Sequence, residues 1–186
     1  MRITGREVAF EGNYLRIVEK HFLTDKGESG IWETVERTNV YDRGAVVVIA
    51  LTKNKEIILE KNWRVPSESW VIQFPAGLTD RRNEPEAQTA RRELLEETGY
   101  LAGALIPIMP SPLSPDLTPT QAMHFLARDV EFVGRSGEIS ADEAVSETIA
   151  VPLKQLKNFL LNLPQDVSLD LRVPGILWVL EAKGLI

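Results

Sequence analysis

Alternating apolar and polar residues predict short β-strands in the N-terminal part of the chain. Leu15 and Ile17, for example, fall on one face of the segment 13–22. The run at 44–51 is continuously apolar and rich in β-branched residues, which suits a strand that is buried on both faces. Strands are expected at 13–22, 30–37, 44–51, 56–63, 121–127 and 148–153, with a further strand at 101–109 that Pro107 interrupts.

A helical pattern follows these first strands. Residues 87–98 are good helix formers, and Pro85 suits an early helical position because its ring fixes φ and it lacks an N–H. Gly99 is expected to end the helix, and either Asn83 or Glu84 could cap its first turn. Apolar periodicity predicts two later helices, at 152–163 and 174–183.

Three glutamates of the first predicted helix, Glu93, Glu96 and Glu97, share one face. Like charges on one turn weaken a bare helix by a few tenths of a kcal/mol per pair. A divalent cation bound against them would remove this repulsion, and carboxylate oxygens favour Mg²⁺ or Mn²⁺ over zinc. The alternative is a solvated acidic face, which is the more common explanation for an isolated cluster of this kind.

Composition narrows the classes of function. A chain of 186 residues is long enough for one domain with a sizeable core. Its net charge of −6 and pI near 5.1 argue against general nucleic-acid binding. The first residues show no signal-peptide pattern, and no segment has the length of a membrane span, so a cytoplasmic protein is expected.

The chain offers few soft metal ligands. It has no cysteines, which excludes disulfides and a thiolate metal site. Its two histidines, His21 and His124, lie in predicted strands, where packed or hydrogen-bonded side chains are expected. A histidine-based metal site is therefore not expected.

The acidic helix and the loop before it contain a longer motif. It comprises Gly77, Glu84, Arg92-Glu93-Leu94, Glu96-Glu97 and Gly99-Tyr100. This motif resembles the box of the Nudix hydrolase family, G-x5-E-x7-R-E-U-x-E-E-x-G-U, in which U is a bulky apolar residue. Six residues instead of five separate the first glycine from the first glutamate, but the extra residue falls in a loop, where insertions are tolerated. Residues 77–100 are called the box below.

The resemblance implies a fold and a domain organisation. A Nudix α/β/α sandwich with a mixed sheet is expected for residues 41–186, preceded by a small N-terminal β appendage at 1–40. In relatives that cleave nucleoside diphosphate sugars, such N-terminal strands pair or swap across a dimer. The resemblance therefore also implies a homodimer that forms through these strands.

The resemblance also implies roles for residues in and near the box. Arg92 is expected to act in catalysis by holding the glutamates in place through a pair with Glu84, and Glu97 is expected to be essential for turnover. The expected ligands of Mg²⁺ or Mn²⁺ are the backbone carbonyl of Ala76 and the carboxylates of Glu93, Glu96 and Glu97.

A catalytic base is implied after the box. In the ADP-ribose pyrophosphatase group, a glutamate from a later loop orients or deprotonates the attacking water. The corresponding loop here is 137–147, in which Asp142 or Glu143 is the counterpart, with Glu147 as a third choice. Glu143 is taken as the expected base, and the alternative for each residue is a solvated acidic loop.

Arg64 is the first of three implied substrate contacts. The segment 60–64 resembles the EQYR-like segment of the same group, and it precedes the segment Gln73-Phe74-Pro75-Ala76-Gly77, which matches (E/Q)-x-P-A-G. A guanidinium can donate two parallel hydrogen bonds to diphosphate oxygens, so Arg64 is expected to clamp the diphosphate. The alternative is a surface cation without a binding role.

Trp32 and Asp116 are the other two implied contacts. An aromatic residue from the N-terminal strands packs on the nucleobase in relatives, although Trp32 could instead pack within its own sheet. Asp116 lies in the Pro-, Ser- and Thr-rich segment 109–121, whose Ser111-Pro112-Leu113 resembles the SPG loop of the group. This loop either shapes the sugar side of the pocket or is only a connection.

The resemblance therefore implies a Mg²⁺-dependent pyrophosphatase. Its expected substrate is a nucleoside diphosphate sugar, such as ADP-ribose or GDP-mannose, which it would cleave to a nucleoside monophosphate and a sugar phosphate. One alternative is another nucleoside diphosphate derivative, a dinucleoside polyphosphate or coenzyme A. Another is a non-catalytic sensor of nucleotide sugars, although the presence of every box glutamate argues against it.

Overall fold

The computed structural model of the chain describes residues 1–135 and 146–186, Ser146 by its backbone alone. The strands are β1 Arg2–Glu11, β2 Leu15–Leu23, β3 Ser29–Arg37, β4 Gly44–Thr52, β5 Glu56–Arg64, β6 Ser69–Gln73, β7 Ala76–Leu78, β8 Tyr100–Leu101, β9 Ala104–Pro112, β10 Gln121–Phe132, β11 Ser146–Pro152 and β12 Val167–Leu169. The helices are α1 Glu86–Thr98, α2 Leu153–Leu161 and α3 Arg172–Ala182, and a 3-10 turn covers Val65–Ser67.

The first three strands form an antiparallel sheet of their own, in the order β1-β2-β3. Hydrogen bonds join this sheet to the rest of the chain. The N–H of Val35 donates to the carbonyl of Leu117 (2.8 Å), and the indole N–H of Trp32 donates to the carbonyl of Asp116 (2.9 Å). The N-terminal sheet therefore contacts the loop between β9 and β10.

The other nine strands form a second, mixed sheet. Strand β4 runs parallel to β10 and antiparallel to β5 and β7, and β12 runs parallel to β6. Every residue of β4 is buried, which confirms the prediction made from its continuous apolar run. The mixed sheet is therefore organised around β4.

Neighbouring residues of β4 point to opposite faces of the mixed sheet and enter two separate apolar clusters. Val48 belongs to one cluster together with Leu94 of α1. Ile49 belongs to the other, together with Leu156 of α2 and Leu177 of α3. The sheet thus lies between α1 on one face and α2 and α3 on the other, which confirms the expected α/β/α sandwich.

Strand β9 differs from the prediction. The expected break at Pro107 is wrong, because the strand continues to Pro112. Within the described residues β9 pairs with β10 alone, so it is an edge strand, and a proline on an edge strand need not remove a ladder hydrogen bond. The register of this pairing shifts next to the proline, between Pro107 and Met109 of β9, which lie opposite Phe125 and His124 of β10.

The three helices are short. They have 13, 9 and 11 residues in chain order. Helix α2 ends at Leu161, before the predicted position 163, and α3 begins at Arg172, before the predicted position 174. In the part of the chain that the structure describes, no helix combines the length and the apolar character that a membrane crossing requires.

His124 is packed within the sheet, as predicted. Its side chain is fully buried in β10, and its Nδ1 lies 3.1 Å from the carbonyl oxygen of Met109. Its Nε2 has no hydrogen-bond partner among the described residues. Burial lowers the pKa of His124 below its usual value, against the opposing contact with the Met109 carbonyl. The folded protein therefore favours the neutral imidazole.

This burial predicts a loss of stability in acid. The pKa of His124 is lower in the folded protein than in the unfolded chain. The stabilisation is therefore fully present above the unfolded pKa of about 6.5 and is lost as the pH falls through the folded pKa. The thermal midpoint should therefore fall more between about pH 8 and about pH 5.5 in the wild type than in His124→Phe, whose ring does not titrate. Scanning calorimetry at both pH values measures this, and an equal fall in both proteins would refute the prediction.

Candidate active site

Helix α1 carries the box glutamates and begins directly after Pro85, its N-cap residue. The prediction that Asn83 or Glu84 caps the helix is wrong, because no side chain of the described residues does so. The carboxylate of Glu84 instead accepts a hydrogen bond from the hydroxyl of Thr89 (2.9 Å). Gly99 ends the helix as predicted, with a φ of 77° and an N–H that donates into the last turn (3.0 Å).

The acidic face of α1 is attached to the mixed sheet. Glu93 is buried, whereas Glu96 and Glu97 are partly exposed. The carboxylate of Glu97 accepts a hydrogen bond from the N–H of Ala76, the first residue of β7 (2.9 Å). Because β7 pairs with β4, this contact fixes the acidic face relative to the most buried strand. Ala76 and Glu97, both expected metal ligands, are therefore neighbours.

Gly77 allows the helix and the strand to approach closely. It lies within β7. A Cβ atom built on Gly77 would lie 2.0 Å from Cδ and 2.3 Å from Cγ of Glu93. Any side chain at this position would therefore displace the Glu93 carboxylate. The motif spacing indicated a glycine here but not this contact.

A substitution at Gly77 tests this contact. Gly77→Ala is expected to lower kcat about 100-fold, because misplacing a group at the reacting centre by about 1 Å can have an effect of this size. The fold should survive, since the flexible end of Glu93 can move aside. Steady-state kinetics and far-UV circular dichroism measure the two effects. The matched control is Gly175→Ala in α3, where an added Cβ would meet nothing within 4 Å. An unchanged kcat for Gly77→Ala would count against the proposed position of Glu93.

Arg92 lies between the acidic side chains of the box. The expected contact with Glu84 is present, through Nε (3.3 Å) and Nη2 (3.1 Å) of the arginine. Nη1 also donates to Glu93 (2.7 Å) and Glu96 (3.0 Å), and Nη2 donates to Asp80 (3.3 Å). One guanidinium thus contacts four carboxylates, and its role in holding them for catalysis stays a prediction.

Two carboxylates of the box have pKa values that are shifted in opposite directions. Burial raises the pKa of Glu93 to about 7, although the charge of Arg92 opposes the shift. The hydrogen bond from Arg92 lowers the pKa of Glu84. Burial also lowers the pKa of Arg92, but its bonds to the glutamates more than offset this, and the net shift is upward. Further positive charge beside Glu93 would favour its ionised form.

These residues fit a hard divalent cation. Three carboxylates and a backbone carbonyl offer only oxygen ligands, which Mg²⁺ and Mn²⁺ prefer. Glu93 and Glu96 converge, because both accept a hydrogen bond from the same nitrogen of Arg92. The N–H of Ala76 donates a hydrogen bond to Glu97, and the carbonyl of Ala76 is the expected backbone ligand. This hydrogen bond therefore holds Glu97 next to the residue that offers the carbonyl.

A second group of possible ligands lies outside the box. Among the described residues, atoms of Glu7, Glu19 and His21 lie within 4.8 Å of one another on β1 and β2. His21 thus has acidic neighbours that its position in a strand did not predict. Proximity alone does not define a metal site, because exposed acidic groups often cluster without an ion.

Arg64, the last residue of β5, is oriented by Gln73 at the end of β6. Its Nε and Nη2 donate to Oε1 of Gln73 (2.9 and 2.6 Å), and Nε2 of Gln73 lies 3.5 Å from the carboxylate of Glu60. Arg64 and Ala76 line the same small cavity, so the guanidinium lies at the edge of the box. Its expected role as a diphosphate clamp stays a prediction.

Trp32 and Asp116 lie together, although they are far apart in the sequence. The hydrogen bond from the indole N–H to the Asp116 carbonyl joins them. Trp32 is 53% exposed, so its packing within its own sheet is incomplete. Both residues line a cavity of about 320 Å³ between the N-terminal sheet and the loop after β9. The indole ring is therefore accessible for stacking.

The expected base, Glu143, belongs to the segment 137–147. Glu143 and its alternative Asp142 lie outside the described residues. The third choice, Glu147, lies in β11, where it is exposed and pairs in register with Lys61 of β5. The identity of the base stays a prediction.

The chain is similar to proteins of known family. A Nudix domain matches residues 41–170. The ADP-ribose pyrophosphatase of Bacillus subtilis is 33% identical over 150 residues, which cover 81% of this chain and 77% of the relative. The ADP-sugar pyrophosphatase of Mus musculus is 35% identical over 104 residues, which cover 53% of this chain and 47% of the relative. The chain thus spans about half the length of the mouse relative.

One solved structure has a fold similar to that of this chain. A crystal structure described as an ADP compounds hydrolase is similar with a TM-score of 0.80, over 100% of this chain and 96% of that chain, at 20% identity. Both relatives carry the name pyrophosphatase, and the solved structure shares the fold of this chain. The chain belongs to the Nudix hydrolase family.

Proposed function

We propose that this protein hydrolyses nucleoside diphosphate sugars to a nucleoside monophosphate and a sugar phosphate, with Mg²⁺ or Mn²⁺ as cofactor. The observation that carries the proposal is the arrangement of Glu93, Glu96 and Glu97 around Arg92, packed against the backbone of β7. The similarity to proteins named ADP-ribose pyrophosphatase and ADP-sugar pyrophosphatase supports the substrate class.

In the proposed reaction, water hydrolyses the bond between the bridging oxygen and one phosphorus of the diphosphate. The water oxygen forms a bond to one phosphorus, the bond from that phosphorus to the bridging oxygen breaks, and the bridging oxygen leaves with the other phosphate. The proton of the water passes to a base, for which Glu143 is proposed. A divalent cation held by the box carboxylates and the Ala76 carbonyl would neutralise charge on the diphosphate, whose repulsion otherwise slows the attack.

The residues of the chain supply binding and orientation. Arg92 keeps the box glutamates in place through its hydrogen bonds. Arg64, oriented by Gln73, clamps the diphosphate with its guanidinium. The exposed ring of Trp32 stacks on the nucleobase, and Asp116 lies beside it on the same side of the substrate.

We further propose that residues 1–40 form an appendage through which the protein assembles as a homodimer. Exposed apolar side chains on its strands support this, among them Phe10 (61%) and Ile31 (57%), since exposed apolar patches mark interaction surfaces. A cytoplasmic location is proposed because the sequence contains no cysteines, as is common where disulfides do not persist.

A screen of nucleotide sugars tests the proposed function. ADP-ribose, GDP-mannose and related compounds are incubated with the protein and Mg²⁺, and the products are identified by mass spectrometry. The expected products are equal amounts of a nucleoside monophosphate and a sugar phosphate, with no turnover after EDTA is added. Exclusive cleavage of dinucleoside polyphosphates or coenzyme A would contradict the substrate class.

A further inference from the structure

A large cavity beside the box is lined by residues of β6, β12 and the start of α3. Its volume of about 640 Å³ lies within the range of small-molecule sites, about 300–1,000 Å³. An adjacent small cavity, of about 20 Å³, is lined by Ala76. Arg64, Gln73, Asp170 and Arg172 line both cavities. The large cavity therefore lies next to the expected metal ligands, with two arginines between them.

Arg172, the first residue of α3, is held in one orientation by Asp170. Its Nε lies 3.0 Å from Oδ1 and 2.8 Å from Oδ2 of Asp170, and its backbone N–H donates to Oδ1 (2.9 Å). The backbone N–H of Asp170 in turn donates to the carbonyl of Ile72 in β6 (3.0 Å). The Asp170 side chain is 15% exposed, whereas that of Arg172 is 41% exposed. The guanidinium is thus both oriented and accessible.

The lining of the large cavity suits an anion that carries hydroxyl groups. The charges of Arg64 and Arg172 outweigh that of Asp170, and the serines 67, 69 and 168 add hydroxyls that can donate and accept hydrogen bonds. No aromatic side chain is among the described residues that line this cavity, whereas Trp32 lines the cavity on the other side of the β9–β10 loop. The large cavity therefore suits a phosphorylated sugar better than a nucleobase.

We propose that the large cavity binds the sugar phosphate half of the substrate and that Arg172 is a substrate-binding residue there, next to Arg64. This inference rests on the proposed function, since it takes the substrate to be a nucleoside diphosphate sugar. Asp170 is a positioning residue, because it orients the guanidinium of Arg172. Leu113, from the loop after β9, also lines the cavity and limits the size of the sugar that fits.

Binding of the two products, which needs no turnover, tests this inference. Ribose 5-phosphate and AMP, the products of ADP-ribose cleavage, are titrated separately by calorimetry. Arg172→Ala should weaken the binding of ribose 5-phosphate by about 10- to 100-fold, the effect of losing hydrogen bonds from a charged group, and should leave AMP binding unchanged. Ser168→Ala should weaken ribose 5-phosphate binding by about 3- to 10-fold. The control is Lys183→Ala, an exposed cation just after the same helix, which should alter neither affinity.

Equal binding of ribose 5-phosphate by the wild type and Arg172→Ala would overturn the assignment, as would an equal loss of AMP binding or no measurable binding of ribose 5-phosphate to the wild type. If Arg172→Ala does not fold, Arg172→Lys is judged by the same criterion, because lysine keeps the positive charge but lacks the paired N–H donors of the guanidinium. A failed nucleotide-sugar screen together with Arg172-dependent binding of ribose 5-phosphate would overturn the proposed function and leave the large cavity as a sugar phosphate site. The two failures are therefore distinguishable.

Discussion

Replacing Glu97 with glutamine is expected to lower kcat by about 1,000-fold or more and to leave the fold intact. A neutral amide cannot supply the negative charge that holds the cation, whose stabilisation of developing charge is worth several kcal/mol, at about 1.4 kcal/mol for each factor of ten in rate. The amide oxygen can still accept the hydrogen bond that the N–H of Ala76 donates (2.9 Å). Steady-state kinetics at saturating Mg²⁺ and a thermal melt measure the two effects.

The matched control for this variant is Glu86→Gln. Glu86 lies in the first turn of the same helix, about 10 Å along the axis before Glu93, and pairs with Arg43 (2.7 Å). Its variant should therefore keep a kcat close to that of the wild type. A near-normal kcat for Glu97→Gln would remove Glu97 from the metal site. An equal loss in both variants would show that changes to the helix, not to the cation site, reduce the rate.

Replacing Glu143 with glutamine is expected to lower kcat by about 100- to 10,000-fold, the usual contribution of a general base. The amide cannot accept the proton of the attacking water, while substrate binding does not need the charge. KM should therefore change little. The acidic limb of the pH profile of kcat should also disappear, because this limb reports the protonation of the base. Both are measured from initial rates over a range of pH.

Asp142→Asn and Glu147→Gln are the matched variants. Each removes one carboxylate from the same segment, and Glu147 is exposed in β11 opposite Lys61. Both variants should keep a kcat within a few-fold of the wild type. A large loss in one of them together with a normal Glu143→Gln would reassign the base. Normal rates in all three would exclude these three carboxylates as the base.

The elements that follow a simple periodicity were predictable. The continuous apolar run at 44–51 identified the central strand β4, and the 3.6-residue period placed three glutamates on one face of α1. Pro107 misled the prediction of β9, because its effect depends on whether a strand is central or at an edge. That distinction is a property of the assembled sheet and not of the local sequence.

The sequence indicated candidate ligands for the site but not the contacts between its residues. The motif identified Gly77 and Glu93, yet their close packing depends on how β7 lies against α1. Trp32 and Asp116 are separated by 84 positions in the sequence, and only the docking of the N-terminal sheet brings them together. Arg172 was missed because the apolar pattern of α3 predicts its buried face and carries no information on the polar residue at its start.

Binding of a divalent cation by the box is tested most directly by anomalous X-ray diffraction from crystals grown with Mn²⁺ and a nucleotide. The predicted result is a strong anomalous peak in contact with carboxylate oxygens of Glu93, Glu96 and Glu97. Crystals that contain the bound nucleotide but show no such peak at this turn of α1 would contradict the account.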